Sequence, residues 1–224
     1  MNKPRPDDGF EAVREKTLEA VLNEAAFDGW SDQTLQSAAK SLKIDAGAME
    51  LAFPRGVRDA LRYYAECRDN DMLAAISATD FAAMKVRDKV RFAIRARIEV
   101  MAGEKEAARR AGFYLALPHA AALGAALTAR TADTIWRAMG DTSLDVNYYS
   151  KRLILSGVYA STLITWFGDE SPACERTWAF LDARIENVMG FEKAKARVRK
   201  ANINLTAPLG ALARLRYPHF GFEK

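Results

Sequence analysis

The amino-acid sequence predicts an all-α protein, and three observations carry that prediction. Strong helix formers (Ala, Leu, Arg, Glu and Lys) dominate the chain. No sustained apolar/polar alternation marks a strand, and apolar residues recur at three-and-four spacing from Val13 onward. The third observation is residues 153–167, which carry no charge yet contain Ser156, Gly157, Ser161, Thr162 and Thr165. This run is too short and too hydroxylated to span a bilayer, which needs about 20 mainly apolar residues. A helix apolar on nearly every side is expected to be buried on every side. It is therefore read as a central helix whose small residues let a neighbouring helix or an apolar ligand come close.

Composition narrows the function classes. Half of the 224 residues are hydrophobic and 28% are charged, which is ordinary for a globular chain able to bury a core. Cys67 and Cys174 lie far apart without spaced partners, so buried thiols are expected in place of a disulfide or metal site. The N-terminal MNKPRPDDGFEAVREK lacks both the apolar core of a secretion signal and the acid-poor character of a transit peptide. The expectation is a cytoplasmic chain. Its net charge of +4 is unevenly placed: residues 191–216 hold seven basic side chains against one acid, Glu192. A basic patch beside apolar residues points to an anionic surface as partner.

Taken in order, residues 1–10 read as a disordered leader. A first helix over 13–27 places Val13, Thr17, Ala20, Val21, Glu24 and Ala25 on one face and stops at Gly29. Ser31 caps a second helix over 32–41, and a turn through Lys43, Ile44 and Asp45 leads to a third over 46–53. Residues 11–57 thus outline a helix-turn-helix unit. The string GWSDQTLQSAAKSLKIDAGAMELAFPRG resembles the N-terminal domain of tetracycline-repressor-type regulators. The charges oppose nucleic-acid binding, because the third helix offers Asp45 and Glu50 and no cation before Arg55.

Residues 58–200 form the larger helical domain. A long helix over 58–79 turns Leu61, Tyr64, Ala65, Met72 and Ile76 inward. Another over 85–102 does the same with Val86, Val90, Ile94, Ile98 and Met101. Gly103 and Gly112 punctuate the next segment, and Leu117-Pro118 opens a helix running to Met139 with Leu123, Leu127, Ile135 and Trp136 inward. Asp145 is placed to cap the central helix, and Asp182, Arg184 and Glu186 read as a solvated face.

Catalytic machinery is not legible. His119 and His219 lack carboxylate or cysteine neighbours at ligand spacing, and no Glu-x-x-His pair supports a helical di-iron site. Nor is there a glycine-rich phosphate loop, a nucleophile elbow or a Cys/His dyad. No catalytic residue, metal or cofactor is assigned.

The stretch GDTSLDVNYYSKRLILSGVYASTLITWFGDESPACERTWAFLDARIENVM resembles the ninth protein of the coenzyme Q (ubiquinone) biosynthesis set. The matched positions are Asp133, Trp136, Gly140, Asp141, Asp145, Asn147, Tyr149, Lys151, Arg152, Tyr159, Asp169, Ser171, Thr177, Trp178, Phe180, Leu181, Arg184, Ile185, Val188 and Met189. The resemblance implies a tetracycline-repressor-like, homodimeric, all-helical protein without enzymatic activity. Its helical domain would bind an isoprenoid quinone or phospholipid and present the quinone intermediate to a separate di-iron enzyme, the demethoxyubiquinone hydroxylase. The enzyme-contacting surface maps to Asp145, Asn147, Tyr148, Tyr149 and Arg152, with Tyr148 standing where family members often have Trp. The expected lipid pocket comprises Trp136, Tyr149, Leu153, Gly157, Tyr159, Ala160, Trp166, Trp178 and Leu181, an apolar hollow walled by aromatics and floored by small residues. A ligand-responsive DNA-binding repressor is the alternative.

Residues 201–224 form a tail. Pro208 suits a first helical position, and Leu205, Leu209, Leu212 and Leu215 fall within about 120° of one another on a helical wheel. Arg214 points away from them, while the stem of Arg216 lies nearer the leucine face. Such a short segment is expected to order on contact, either with the protein's own surface or with a membrane, which the resemblance favours. The protein would then sit peripherally on a bacterial inner membrane, or on the matrix face if the chain is a processed organellar one.

Overall fold

In a computed structural model of the chain, residues 6–142 and 146–200 are described, with side chains over 10–142 and 148–190. The described residues form nine α-helices joined by turns and two short 3₁₀ segments, and no strand. Among the described residues, those up to 185 make one compact unit and residues 186–200 belong to a second.

The N-terminal unit follows its local chemistry closely. Helix α1 (Pro6–Asp28) begins seven residues earlier than the sequence indicates, so part of the expected disordered leader is helical. Proline at its first position has a φ already suited to helix and gives up an N–H that would have no helical partner. The helix stops at Gly29, whose φ of +80° a side chain would disfavour. Thr17, Leu18, Val21 and Ala25 are its buried stripe. Helix α2 (Asp32–Ser41) is capped by Ser31, whose Oγ accepts from the Thr34 N–H at 3.0 Å. Helix α3 (Ala46–Ala52) is capped by Asp45, whose Oδ1 accepts from the N–H groups of Gly47 and Ala48 at 2.8 and 3.2 Å. Two long-range bonds fix this unit. Asp32 Oδ1 accepts from the Val57 N–H at 2.8 Å, and the Trp30 indole donates to the Ala107 carbonyl at 2.9 Å.

The remaining helices are α4 (Val57–Ser77), α5 (Val86–Glu99), α6 (Lys105–Ala116), α7 (Ala121–Ala138), α8 (Val146–Phe167) and α9 (Glu175–Lys200). Leu61, Met72, Ile94, Ile98, Ile135, Trp166 and Leu181 are its largest fully buried apolar side chains. The inward stripe expected on α4 is buried throughout. Val86 is not: it is the first residue of α5, a turn ahead of half-buried Val90, and is 57% exposed. The helix expected from Leu117 starts at Ala121, after a turn through Pro118 that ends α6. Gly112 does not punctuate anything. It lies inside α6, where a Cβ would come within 2.8 Å of the Phe167 ring, so the absence of a side chain lets α6 and α8 approach. No described helix is long and apolar enough to cross a membrane.

The largest correction concerns α8. Its uncharged run is not buried on every side, because Tyr149, Leu153 and Ile164 are 73, 75 and 70% exposed and Gly157 lies on the same open face. The opposite face, with Leu155, Val158, Tyr159, Thr162 and Trp166, is the buried one. Hydroxyls let the helix be uncharged without being wholly apolar. Thr162 and Thr165 satisfy themselves on carbonyls one turn back, at 2.8 and 3.0 Å.

Two glycine substitutions should separate close approach from helix propensity. Gly124→Ala places a Cβ 2.8 Å from the Leu115 carbonyl oxygen, which should outweigh the better helix propensity and cost about 1–2 kcal/mol net. Gly157→Ala meets open space and should gain up to about 1 kcal/mol. Urea unfolding of both variants checks the opposite signs.

Candidate ligand-binding site

Three inward stripes each carry one polar residue. On α4, Asp69 follows Ala65 and precedes Met72; on α5, Arg97 stands between Ile94 and Met101; on α7, Thr131 stands between Leu127 and Ile135. Helical spacing therefore drives all three into the interior, where they are 2–3% exposed. Arg97 Nε donates to Asp69 Oδ1 at 2.7 Å, and the Thr131 hydroxyl donates to the same oxygen at 2.9 Å. The other guanidinium nitrogens reach the Met101 thioether, a weak acceptor, at 3.1 Å and the Ala65 carbonyl at a long 3.4 Å. Asp69 Oδ2 and the Tyr64 hydroxyl have no hydrogen-bond partner among the described residues.

Beside this cluster lies a cavity of about 80 Å³, lined by Arg97, Thr131, Tyr64, Tyr159, Gly112 and Phe167 together with small and aliphatic residues such as Ala65, Ala108 and Leu163. Burial opposes the charge on Arg97, but the Asp69 carboxylate beside it keeps it protonated. Burial also pushes the Tyr64 and Tyr159 phenols up, so both stay neutral. The cavity is thus polar at one end, apolar elsewhere and uncharged overall.

Of the nine residues expected to wall a lipid pocket, Tyr159 alone lines this cavity. Trp166 and Leu181 are fully packed in the core. The Trp136 indole donates to the Lys151 carbonyl at 3.1 Å, and the Trp178 indole donates to the Ala173 carbonyl at 2.9 Å beneath Arg95. Tyr149, Leu153 and Gly157 face outward, and Ala160 is half-buried. The described cavity thus brings Tyr159, of these nine, to its wall. Sequence reading favoured aromatics and small residues and passed over Asp69, Arg97 and Thr131, although a charged or hydroxyl residue inside an apolar stripe was the available signal.

The proposed enzyme-contacting positions also divide. Arg152 is 8% exposed and is taken up by an internal network, with Nε on Asp133 at 2.6 Å, NH1 on Asp141 at 3.2 Å and the guanidinium 3.4 Å from the Tyr148 ring centroid. The Tyr148 hydroxyl donates to Asp133 at 3.2 Å, and Lys151 pairs with Asp141 at 2.6 Å. Arg152 consequently fastens α7 to α8, leaving Tyr149 as the open position among the described side chains of this set. Asp145, the Asn147 side chain, Leu205, Leu209, Leu212, Leu215, Arg214 and Arg216 lie outside the described residues. At the α8–α9 junction the Asp169 carboxylate accepts from the N–H and hydroxyl of both Ser171 and Thr177, at 2.6–2.9 Å. These bonds, led by Ser171 and Thr177, hold it well below the usual carboxylate range. Asp182, expected on a solvated face, pairs with Arg91 of α5.

The fold is all-helical and tetracycline-repressor-like. A solved TetR transcriptional regulator from Nitrosomonas europaea matches it with a TM-score of 0.63 at 17% identity, over 78% of this chain and 97% of that one, a likeness of fold alone. Residues 121–192 match the COQ9 family. The chain is 27% identical over 213 residues to the mitochondrial ubiquinone biosynthesis protein COQ9 of Rattus norvegicus, spanning 92% of this chain and 68% of that protein. It is 25% identical to the Homo sapiens protein over 92% of this chain and 67% of that one, and 28% identical to the Xenopus tropicalis protein over 80% and 58%. The chain is similar to these COQ9 proteins over most of its length.

The buried pair and the junction carboxylate each make a measurable prediction. Arg97→Met alone leaves the Asp69 carboxylate buried without its counter-ion and should cost about 3–5 kcal/mol, whereas adding Asp69→Leu should restore most of that loss in urea unfolding. Because the folded Asp69–Arg97 pair and the Asp169 turn are independent, the second can be tested by pH. The Asp169 carboxyl titrates lower folded than unfolded, so its contribution is complete above the ordinary carboxylate range, declines below it and vanishes only beneath its folded value. Asp169→Asn should therefore be less stable than wild type at pH 7, with the difference narrowing as the pH drops below about 4.

Proposed function

We propose that this protein is a non-enzymatic, lipid-binding accessory protein of ubiquinone biosynthesis, which presents an isoprenoid quinone intermediate to the demethoxyubiquinone hydroxylase at a membrane surface. The observation that carries the reading is the match of residues 121–192 to the COQ9 family, joined to relatives named as ubiquinone biosynthesis proteins. Those relatives are mitochondrial by name, which favours the organellar form of the localisation expected from sequence. The interior supports the lipid reading by being neutral and mostly apolar.

The cavity is about half the ~150 Å³ of an apolar cavity that admits benzene. A prenyl chain does not fit inside it as packed. Binding then requires the seam between α6 and α8, where Gly112 meets Phe167 at the cavity wall, to part. The open face of α8, with Tyr149, Leu153 and Ile164, supplies an apolar surface for a partner protein or second copy. The basic, leucine-bearing tail supplies the membrane contact.

The repressor alternative draws support from the TetR neighbour and the helix-turn-helix outline. Helix α3 argues the other way, since it presents Glu50 and no Lys or Arg.

Organic extraction of the purified full-length protein followed by mass spectrometry tests the reading. A prenylated quinone or quinone precursor in stoichiometric amount is the expected result, together with flotation on anionic liposomes that falls when residues 202–224 are removed. Lipid-free protein that binds genomic DNA at physiological salt would replace this reading with the repressor.

A further inference from the structure

The buried cluster on α4, α5 and α7 has an unfinished hydrogen-bond count. Arg97 spends strong bonding capacity on a thioether and a distant carbonyl. Asp69 keeps one oxygen unmatched while 2% exposed, and Tyr159, the phenol packed beside both, lines the cavity without a charge. Buried polar groups are ordinarily satisfied, and leaving them short costs stability unless something completes them. The cluster is also balanced: one cation, one anion and two neutral phenols. An anion entering this space would find the guanidinium already neutralised at 2.7 Å by Asp69, so its own charge would be buried without compensation.

We infer that the Asp69–Arg97–Thr131 cluster is the specificity-determining end of the ligand cavity, receiving an uncharged ring oxygen, a quinone carbonyl or phenolic hydroxyl, and rejecting a phosphate-bearing head. Arg97, which lines the cavity, supplies N–H donors to the incoming oxygen, and the Thr131 hydroxyl oxygen beside it can accept from a hydroxyl, while Asp69 behind them holds both in place. Ala65, Ala108, Ala111 and Gly112 leave the space for one edge of a ring. The inference rests on the lipid-binding reading above and adds which end of the ligand goes inside, and why. It also accounts for the small cavity volume, because only the oxygenated edge must be housed there while the hydrocarbon extends past the Gly112–Phe167 seam.

The test titrates the full-length protein calorimetrically with three probes of matched hydrocarbon: a singly prenylated benzoquinone, the corresponding prenylbenzene, and prenyl diphosphate. Wild type should bind the quinone about 10- to 100-fold more tightly than the other two, the range expected for hydrogen bonds to a charged partner. The Asp69→Leu/Arg97→Met double variant, checked for fold by circular dichroism and melting, should bind quinone and prenylbenzene alike. Equal wild-type affinity for all three probes, a preference for the diphosphate, or unchanged selectivity in the double variant would each overturn the inference. Co-purifying lipid with none of the three probes bound would reject this subsite while leaving the lipid-binding reading intact. Absence of both would remove the two together.

Discussion

One buried ion pair, Asp69 with Arg97, organises the helical domain. It joins α4 to α5 directly, draws in α7 through Thr131, and sits against Tyr159 of α8. Four helices thereby meet at a point where apolar packing alone would leave their mutual register free. Such pairs rarely add net stability over a hydrophobic replacement, since desolvating two charges cancels most of their attraction. What the pair does supply is geometry: an oriented guanidinium beside a cavity, fixed before any ligand arrives. That is the condition under which polar groups discriminate between ligands.

The residues shared with the COQ9 resemblance turn out to be divided between holding the fold and facing outward. Asp133, Asp141, Lys151 and Arg152 form a network between α7 and α8, and Asp169, Ser171 and Thr177 close the turn into α9. Both clusters brace the ends of α8. The helix is thereby held so that the face carrying Val158, Tyr159 and Trp166 is buried while Tyr149, Leu153 and Ile164 remain available. Positions that read as a recognition surface in one dimension are, for Arg152 especially, the anchors that present such a surface.

Helix identity was legible because caps and stripes are local. Ser31, Asp45 and Gly29 act within a few residues of themselves, and their structures follow from side-chain oxygens and a permissive φ. The apolar stripe of α4 was equally readable. Burial of α8 was not, because an uncharged sequence tells how a helix tolerates burial and not how many neighbours it has. The Trp136 and Trp178 indole N–H groups, which need acceptors, find the Lys151 and Ala173 carbonyls, partners no local pattern in the sequence could name. The interior site is a long-range object: Asp69, Arg97 and Thr131 are separated by 28 and 62 residues across their two bonds, and only the folded chain sets them side by side.

A neutral, oxygen-bearing lipid head reaches the cluster on α4, α5 and α7 through the α6–α8 seam. Photolabelling addresses it most directly: the full-length protein is irradiated with a prenylated azidobenzoquinone, and the modified peptides are mapped by mass spectrometry. Label on the segments around Ala65, Arg97 and Tyr159 is the result the account predicts. Label confined to the outward Tyr149–Leu153–Ile164 face of α8, with the interior segments unmodified, would contradict it.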